Sequence, residues 1–330
     1  MIVTGVEVSR DVRRRVWQYK GVTVTIIVPT FRRPAALRRC LDALIQQNRK
    51  ADQMVVVVRS SDRSTVDLVE GTFPDVTIGT VDVSGAVAAY NVGLERATGD
   101  LIAIIDDDAV APPDWLDSLA AHFLKDDTIG GVGGRDRVHT ADGVIEQPRH
   151  TVGKISWYGR VIGNHHLGVG RPRYVDVLKG ANMCFRRTAV AGIRCDERMR
   201  GDGAQVHFEL AFCLEVKRAG WALVYDPAIV VEHYPAPRHD ADTRNSAAFG
   251  PLKDISHNET LALLEHLSPL RRVIFLVWAF ACGTRLAPGV LLLPMVLLQR
   301  GLSGYVNFTA AVAGRVAALA SRRKVIARAP

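Results

Sequence analysis

Asp106, Asp107 and Asp108 follow directly on the apolar run Leu101–Ile105, and three adjacent carboxylates repel one another unless a cation or a ring of donors compensates them. A divalent metal is the natural partner, and hard oxygen ligands select Mg2+ or Mn2+. Successive residues of an extended chain point to opposite sides, so Asp106 and Asp108 can share one side while Asp107 faces away. The alternative is a solvated acidic turn that caps the following helix. A second chemistry-bearing segment is Gly163-Asn164-His165-His166-Leu167-Gly168. Its adjacent histidines would point apart on a strand and could not readily bind one metal together. Its glycines suit either a loop that brings His165 or His166 to an acceptor or phosphate, or a plain turn with exposed histidines.

The elements that must hold these residues alternate. Thr23 to Val28 is β-branched, and Pro34 to Asn48 carries Leu37, Cys40, Leu41, Leu44 and Ile45 at the spacing of one helical face, with Pro in its first turn. Met54–Val58 is a continuous apolar run suited to a parallel sheet covered on both faces. Thr65–Glu70 reads as helix, Val76–Val81 as strand, Ala86–Ala97 as a helix stopped by Gly99, and Leu101–Ile105 as a fourth strand. Such alternation predicts an open α/β sheet with helices on both faces, whose ligands sit beyond the carboxyl ends of the strands. The acidic triplet lies at such an end.

With 330 residues, 48% hydrophobic and 23% charged, the chain has ample material for a core, and its composition excludes a disordered or collagenous protein. Five scattered cysteines with no Cys-x-x-Cys pair argue against a disulfide framework or a thiolate zinc site. Residues 1–20 contain no apolar run long enough for a signal peptide, so a reduced cytosolic setting is expected. The net charge of +8 is confined to the end of the chain: no acid follows Glu265, whereas nine of the 42 basic residues do. The same stretch is the most apolar, in the runs Val273–Cys282, Leu286–Leu298 and Leu302–Ala320. The first two fall short of the roughly 20 residues a membrane-spanning helix needs, and Arg285, Pro288 and Pro294 interrupt them. Apolar helices flanked by cations suit the cytoplasmic membrane interface; the other reading is a helical unit or dimer interface packed on the core. Cations interleaved with Leu and Val do not suit nucleic acid.

Five segments in order then resemble family 2 glycosyltransferases of the GT-A fold, between Val24 and about Tyr234. They are Ile27-Val28-Pro29-Thr30-Phe31-Arg32-Arg33, Asn91 through Asp100, the acidic triplet, Gly180 through Arg187, and Phe208-Glu209-Leu210 leading to Arg218-Ala219-Gly220-Trp221. The resemblance implies metal-dependent, inverting transfer of a sugar from a nucleoside diphosphate to an acceptor hydroxyl. It places Thr30, Arg32, Asn91, Asp106 and Asp107 on the donor side and Asp108 on the metal with Asp106. His233, in Val231-Glu232-His233-Tyr234, matches a position where related enzymes supply a metal or diphosphate contact. Glu209 matches the family's catalytic base, with Asp202 in Arg200-Gly201-Asp202-Gly203 as its competitor. Lys179, Gly180 and Asn182 fall on the acceptor or diphosphate side. Where most members carry an acidic pair after the second strand, this chain has Val58-Arg59-Ser60-Ser61-Asp62, which shifts recognition of the nucleobase to Asp62. Tyr90 and Phe208 also replace residues of the usual pattern.

The expected organisation is an N-terminal extension (1–20), a GT-A catalytic domain (21–250), a Rossmann-like open mixed sheet, and a helical, membrane-associating extension (251–330). The expected partners are a nucleoside-diphosphate sugar, a glycan or lipid-linked acceptor and a membrane surface, with a homodimer as a further option and no nucleic acid. Transfer to a polyprenyl phosphate, or a catalytically idle scaffold in polysaccharide assembly, are the alternatives.

Overall fold

Val24–Thr30 (β1) is buried along almost its whole length, as a β-branched run must be when helices cover both faces of a parallel sheet. A computed structural model describes residues 21–237 and 248–326, with side chains as far as residue 322. The expected extension over residues 1–20 therefore lies outside the described residues, as do the side chains of Arg323, Lys324 and Arg328 in the basic tail. After β1 come α1 (Pro34–Ile45), β2 (Gln53–Arg59), α2 (Arg63–Thr72), β3 (Thr77–Val81), α3 (Ala86–Arg96) and β4 (Leu101–Ile105). Helix α1 starts on a proline and buries Leu37, Cys40, Leu41 and Leu44 of its predicted face, while Ile45, the last residue of the helix, is exposed. Gly93 lets α3 press onto β1, since a Cβ there would come within 2.5 Å of Ile27 Cγ2.

Beyond β4 the chain changes character. It forms β5 (Ala109–Val110), α4 (Trp115–Lys125), β6 (Ile129–Thr140) and four short strands, β7 (Gly143–Val144), β8 (Lys154–Ile155), β9 (Val161–Ile162) and β10 (Arg173–Val175). Then come β11 (Asn182–Arg186), α5 (Phe208–Arg218) and β12 (Ala222–His233). The main sheet runs β10-β12-β6-β11-β4-β1-β2-β3. Strands β1 to β4 are mutually parallel, β11 is antiparallel to both β4 and β6, and β12 is parallel to β6. The sheet is thus mixed, with α1 and α4 packed on one face and α3 and α5 on the other. Strand β6, Ile-Gly-Gly-Val-Gly-Gly, does not read as a strand because glycine weakens one. The fold needs those glycines: a Cβ at Gly134 would meet the Ile229 carbonyl at 2.0 Å, and one at Gly131 would meet Leu223 at 2.7 Å.

Four more helices follow, α6 (Phe249–His266), α7 (Pro269–Ala281), α8 (Leu293–Arg300) and α9 (Leu302–Ile326). Helix α6 starts close to the expected boundary, but Leu261, Ala262, Leu263 and Leu264 join the same buried cluster as α3 and α5. Helix α9 lies on α6, where a Cβ at Gly314 would strike the Lys253 carbonyl. Helices α6 and α9 pack on each other, while α7, α8 and α9, the last at Leu302, Tyr305 and Val316, keep large apolar side chains exposed. No helix among the described residues is long and apolar enough to cross a membrane.

Asn182 pins three elements. Its Nδ2 donates to the carbonyls of Arg135 (3.1 Å) and Ile229 (3.0 Å), and its Oδ1 accepts from Trp115 Nε1 (2.9 Å). Replacing it leaves buried groups on β6, β12 and α4 unpaired, at about 1–3 kcal/mol each if water does not reach them. Asn182→Ala is expected to lower unfolding stability by about 2–4 kcal/mol in urea titration.

Candidate active site

Thr30 ends β1 and the acidic triplet follows β4, two neighbouring strands whose onward connections run in opposite directions along the strand order. Such a divergence opens a crevice at the carboxyl ends of the strands. Asp107 turns into the protein, where Thr30 Oγ1 donates to it at 2.7 Å and Arg33 Nη1 at 2.9 Å. Burial pushes its carboxyl up to about 7 even against Arg33. Asp108 is also buried, yet its carboxyl is held below the ordinary range by His233, the Ala236 N–H (2.9 Å) and Arg33.

The opposite side of the triplet faces β12. Strand β5 pairs antiparallel with the end of β12, Ala109 opposite His233, and the Tyr234 N–H donates to the Asp108 carbonyl at 2.9 Å. This register sets Asp106, Asp108 and His233 so that one ligand atom from each lies within 4.8 Å of the others. His233 Nε2 and Asp108 Oδ1 are 3.1 Å apart but off the hydrogen-bonding line, and both are buried with no hydrogen-bond partner. Two orphaned polar atoms that can each offer a lone pair, facing one point, are what a shared cation requires, and one imidazole with two carboxylates fits Mg2+ or Mn2+. Behind the ring, Nδ1 lies 3.3 Å from Asp136, which is ion-paired with Lys179. Burial pushes His233 down, but Asp108 and Asp136 outweigh it and raise the imidazole to about 9. A bound metal would take the place of the Nε2 proton, with Asp136 orienting the ring from behind.

Across the cleft, Glu209 occupies the first turn of α5. Burial pushes its carboxyl up to about 7, and nearby Asp106 adds to the rise. Gly180 fits between Tyr90 and Glu209; a Cβ there would come within 2.3 Å of Tyr90 Oη. The cleft, about 750 Å3, is lined by Thr30, Arg33, Asp106, Asp108, Lys179 and Glu209, among others. It therefore joins the two carboxylates of the candidate metal cluster, with His233 buried behind them, a raised carboxyl and the cations of Arg33, Arg59 and Lys179 in one space.

The structure brings other expected residues elsewhere. Asp202 is exposed beside the cleft, where its Oδ1 accepts from Ser84 Oγ at 3.4 Å and its carbonyl from Arg59 at 3.0 Å; its neighbours Gly203 and Ala204 line the wall. Asp62, expected at the nucleobase, is the N-cap of α2, with its carboxylate committed to the N–H groups of Arg32 and Thr65 and to the hydroxyls of Ser64 and Thr65. Asn91 bonds both ways to the Cys195 backbone, and Asn182 is the pin described above. His165 is a core residue whose Nε2 lies 2.9 Å from the Val177 carbonyl, and burial pushes it down to about 4. Half-buried His166 is not among the cleft residues. The side chains of Asp62, Asn91, Asn182 and His165 are spent on the fold because a buried polar group must be paired. Arg32 takes a left-handed backbone (φ 55°) and lines an adjoining hollow, so the following residue, Arg33, supplies the guanidinium at the triplet. Arg33 and Asp136 were not legible in the sequence: one stood beside a more suggestive arginine and the other inside a glycine-rich run.

If His233 and the carboxylates hold the ion, His233→Ala abolishes tight Mn2+ binding. Asp136→Asn weakens it by about 10- to 100-fold, because the ring loses its rear support. Titration of Mn2+ by electron paramagnetic resonance, with nucleoside diphosphate present, checks both.

Comparisons with known proteins agree with this geometry. The family model described as glycosyltransferase like family 2 matches residues 21–248. A glucosyl-dolichyl phosphate glucuronosyltransferase of Haloferax volcanii is 24% identical over 221 residues, covering 64% of this chain and 68% of the relative. A hyaluronan synthase of Pasteurella multocida is 30% identical over 128 residues, 37% of this chain and 13% of that protein. Among solved structures, GalNAc-T7 with UDP, GalNAc and Mn2+ superposes with a TM-score of 0.60 at 14% identity, over 79% of this chain and 50% of its own. A mannosyltransferase of Pyrobaculum calidifontis with GDP-Man and Mn2+ gives 0.56 at 19% identity, over 96% and 86%. With its fold, its Asp-Asp-His cluster and a family match over most of its length, this chain belongs to glycosyltransferase family 2 and is a glycosyltransferase of the GT-A fold.

Proposed function

We propose that the protein transfers a sugar from a nucleoside-diphosphate donor to a hydroxyl of a glycan or lipid-linked glycan, with inversion and with metal assistance. The observation that carries this reading is that Asp106 and Asp108, clustered with His233, share one cleft with the raised Glu209 carboxyl. Mg2+ or Mn2+ held by the triad would neutralise the diphosphate and stabilise it as the leaving group. Glu209 takes the proton of the acceptor hydroxyl as its oxygen bonds to the anomeric carbon, and the bond from that carbon to the diphosphate oxygen breaks on the opposite face. Lys179 and Arg33 add positive charge along the cleft, although each is partly neutralised by its own carboxylate. The lipid-linked acceptor draws its support from the likeness to the Haloferax volcanii relative, whose name states a dolichyl phosphate substrate.

Calorimetric titration with UDP, GDP and dTDP, each with and without Mn2+, tests the donor side. One diphosphate should bind only with metal, and Asp108→Ala should abolish that binding. No binding of any of the three would sink the proposal. A base must be ionised to accept a proton, so kcat/KM is expected to fall as pH drops through about 7 and to level off above it. Glu209→Gln should lower kcat by about 10²- to 10⁴-fold while leaving diphosphate affinity unchanged. A Gln variant retaining near-normal turnover would move the base to another residue, Asp202 first.

A further inference from the structure

Helix α7 carries Leu270, Val273 and Val277 at positions i, i+3 and i+7, one face of a helix, and they are 71%, 59% and 64% exposed. Its opposite face buries Phe275 and Ala279, so the helix is docked on protein and the outer stripe is left open. The surface extends past its end. The Val290 and Leu291 N–H groups donate to the carbonyls of Phe280 and Ala281 at 2.9 and 2.8 Å, which fixes both exposed side chains beside the end of α7. Buried Arg315 holds the same loop through the carbonyls of Ala287 and Pro288. Helix α8 then presents Leu298, 89% exposed.

On the other side of α7 stands the β8–β9 hairpin. Arg271 donates to the carbonyls of Ser156 (2.8 Å) and Trp157 (3.1 Å), and Tyr158 packs on Trp278 with ring centroids 5.1 Å apart. The hairpin is thereby tied to α7 while the indole of Trp157 stays exposed. An indole at the border of an apolar surface suits the headgroup level of a bilayer.

We infer that α7, the loop after it and α8 form a surface that docks on an anionic lipid bilayer, with Trp157 at its rim. Charge selects this occupant. Arg271, Arg272, Arg285 and Arg300 accompany the apolar side chains, and no Asp or Glu occurs after residue 265. A second copy of the chain joined by a two-fold axis would set this cationic surface against itself with no acid to pair it. Anionic headgroups complement the arginines, and the aliphatic side chains enter the acyl boundary. This surface is independent of the catalytic reading.

The test is co-sedimentation of the full chain with phosphatidylcholine vesicles, with and without phosphatidylglycerol. Binding should require phosphatidylglycerol and weaken at high salt. Replacing Arg285 or Arg300 by Ala should lower the partition about five-fold each. Val273→Ser combined with Val277→Ser should lower it by at least ten-fold, with the thermal unfolding midpoint and Mn2+-dependent diphosphate binding retained. Absence of binding to either vesicle overturns the proposal, as does wild-type partition of the double serine variant. A salt-insensitive dimer in light scattering that the same variant dissolves would also overturn it, because the surface would then belong to a second copy. Neither readout uses sugar transfer, so loss of the catalytic proposal would leave this result standing, and the reverse.

Discussion

Three successive carboxylates at the end of a buried strand repel one another, and the architecture around them is the means by which that repulsion is contained. Asp107 is buried and satisfied by Thr30 and Arg33. Asp108 is held by a backbone N–H from the segment after β12 and faces His233. What is left on the cleft side is a pair of carboxylates and an imidazole around one point, a local excess of oxygen ligands that a divalent cation relieves. The triplet thus divides in two, with one residue anchoring the turn and two clustered with His233 as a candidate metal site.

That division depends on how close β12 comes. His233 reaches Asp108 because β12 lies directly along β6, and β6 admits it through glycines at which any Cβ would strike the neighbouring chain. The same strand supplies Asp136, whose carboxylate meets both His233 and Lys179. A buried Asp–Lys pair stabilises little by itself, since desolvation offsets most of the attraction. Its value lies in fixing the ring of His233. On the opposite wall, Glu209 keeps a carboxyl near neutrality because it is withdrawn from water and close to Asp106. Acidic groups of contrasting ionisation in one cleft are suited to the separate tasks proposed for them, ligand on one side and proton acceptor on the other.

The C-terminal helices obey a different balance. Helices α6 and α9 complete the core by helix-on-helix packing, with Gly314 allowing close approach. Helices α7 and α8 have too few partners to cover their apolar faces, and the polar counterpart they carry is exclusively cationic among their charged residues.

The sequence by itself determined the parallel half of the sheet. Continuous apolar runs such as Met54–Val58 and the α1 face from Leu37 to Leu44 follow local periodicity, and Leu101–Ile105 was bounded as the structure has it. Local pattern also found the acidic triplet, because repulsion between neighbours in sequence needs no fold to be recognised. The mixed half was hidden at β6, since its glycines weaken a strand and become strand residues only beside the partner that requires them. Which polar residues are spent on the fold was equally hidden. Asn182, Asn91, Asp62 and His165 have the chemistry of site residues, but backbone groups brought from distant parts of the chain claim their donors and acceptors. Arg33 and Asp136 gain their places in the same way. Residue type and spacing fix what a side chain can do, whereas burial and long-range pairing decide whether it is left able to do it.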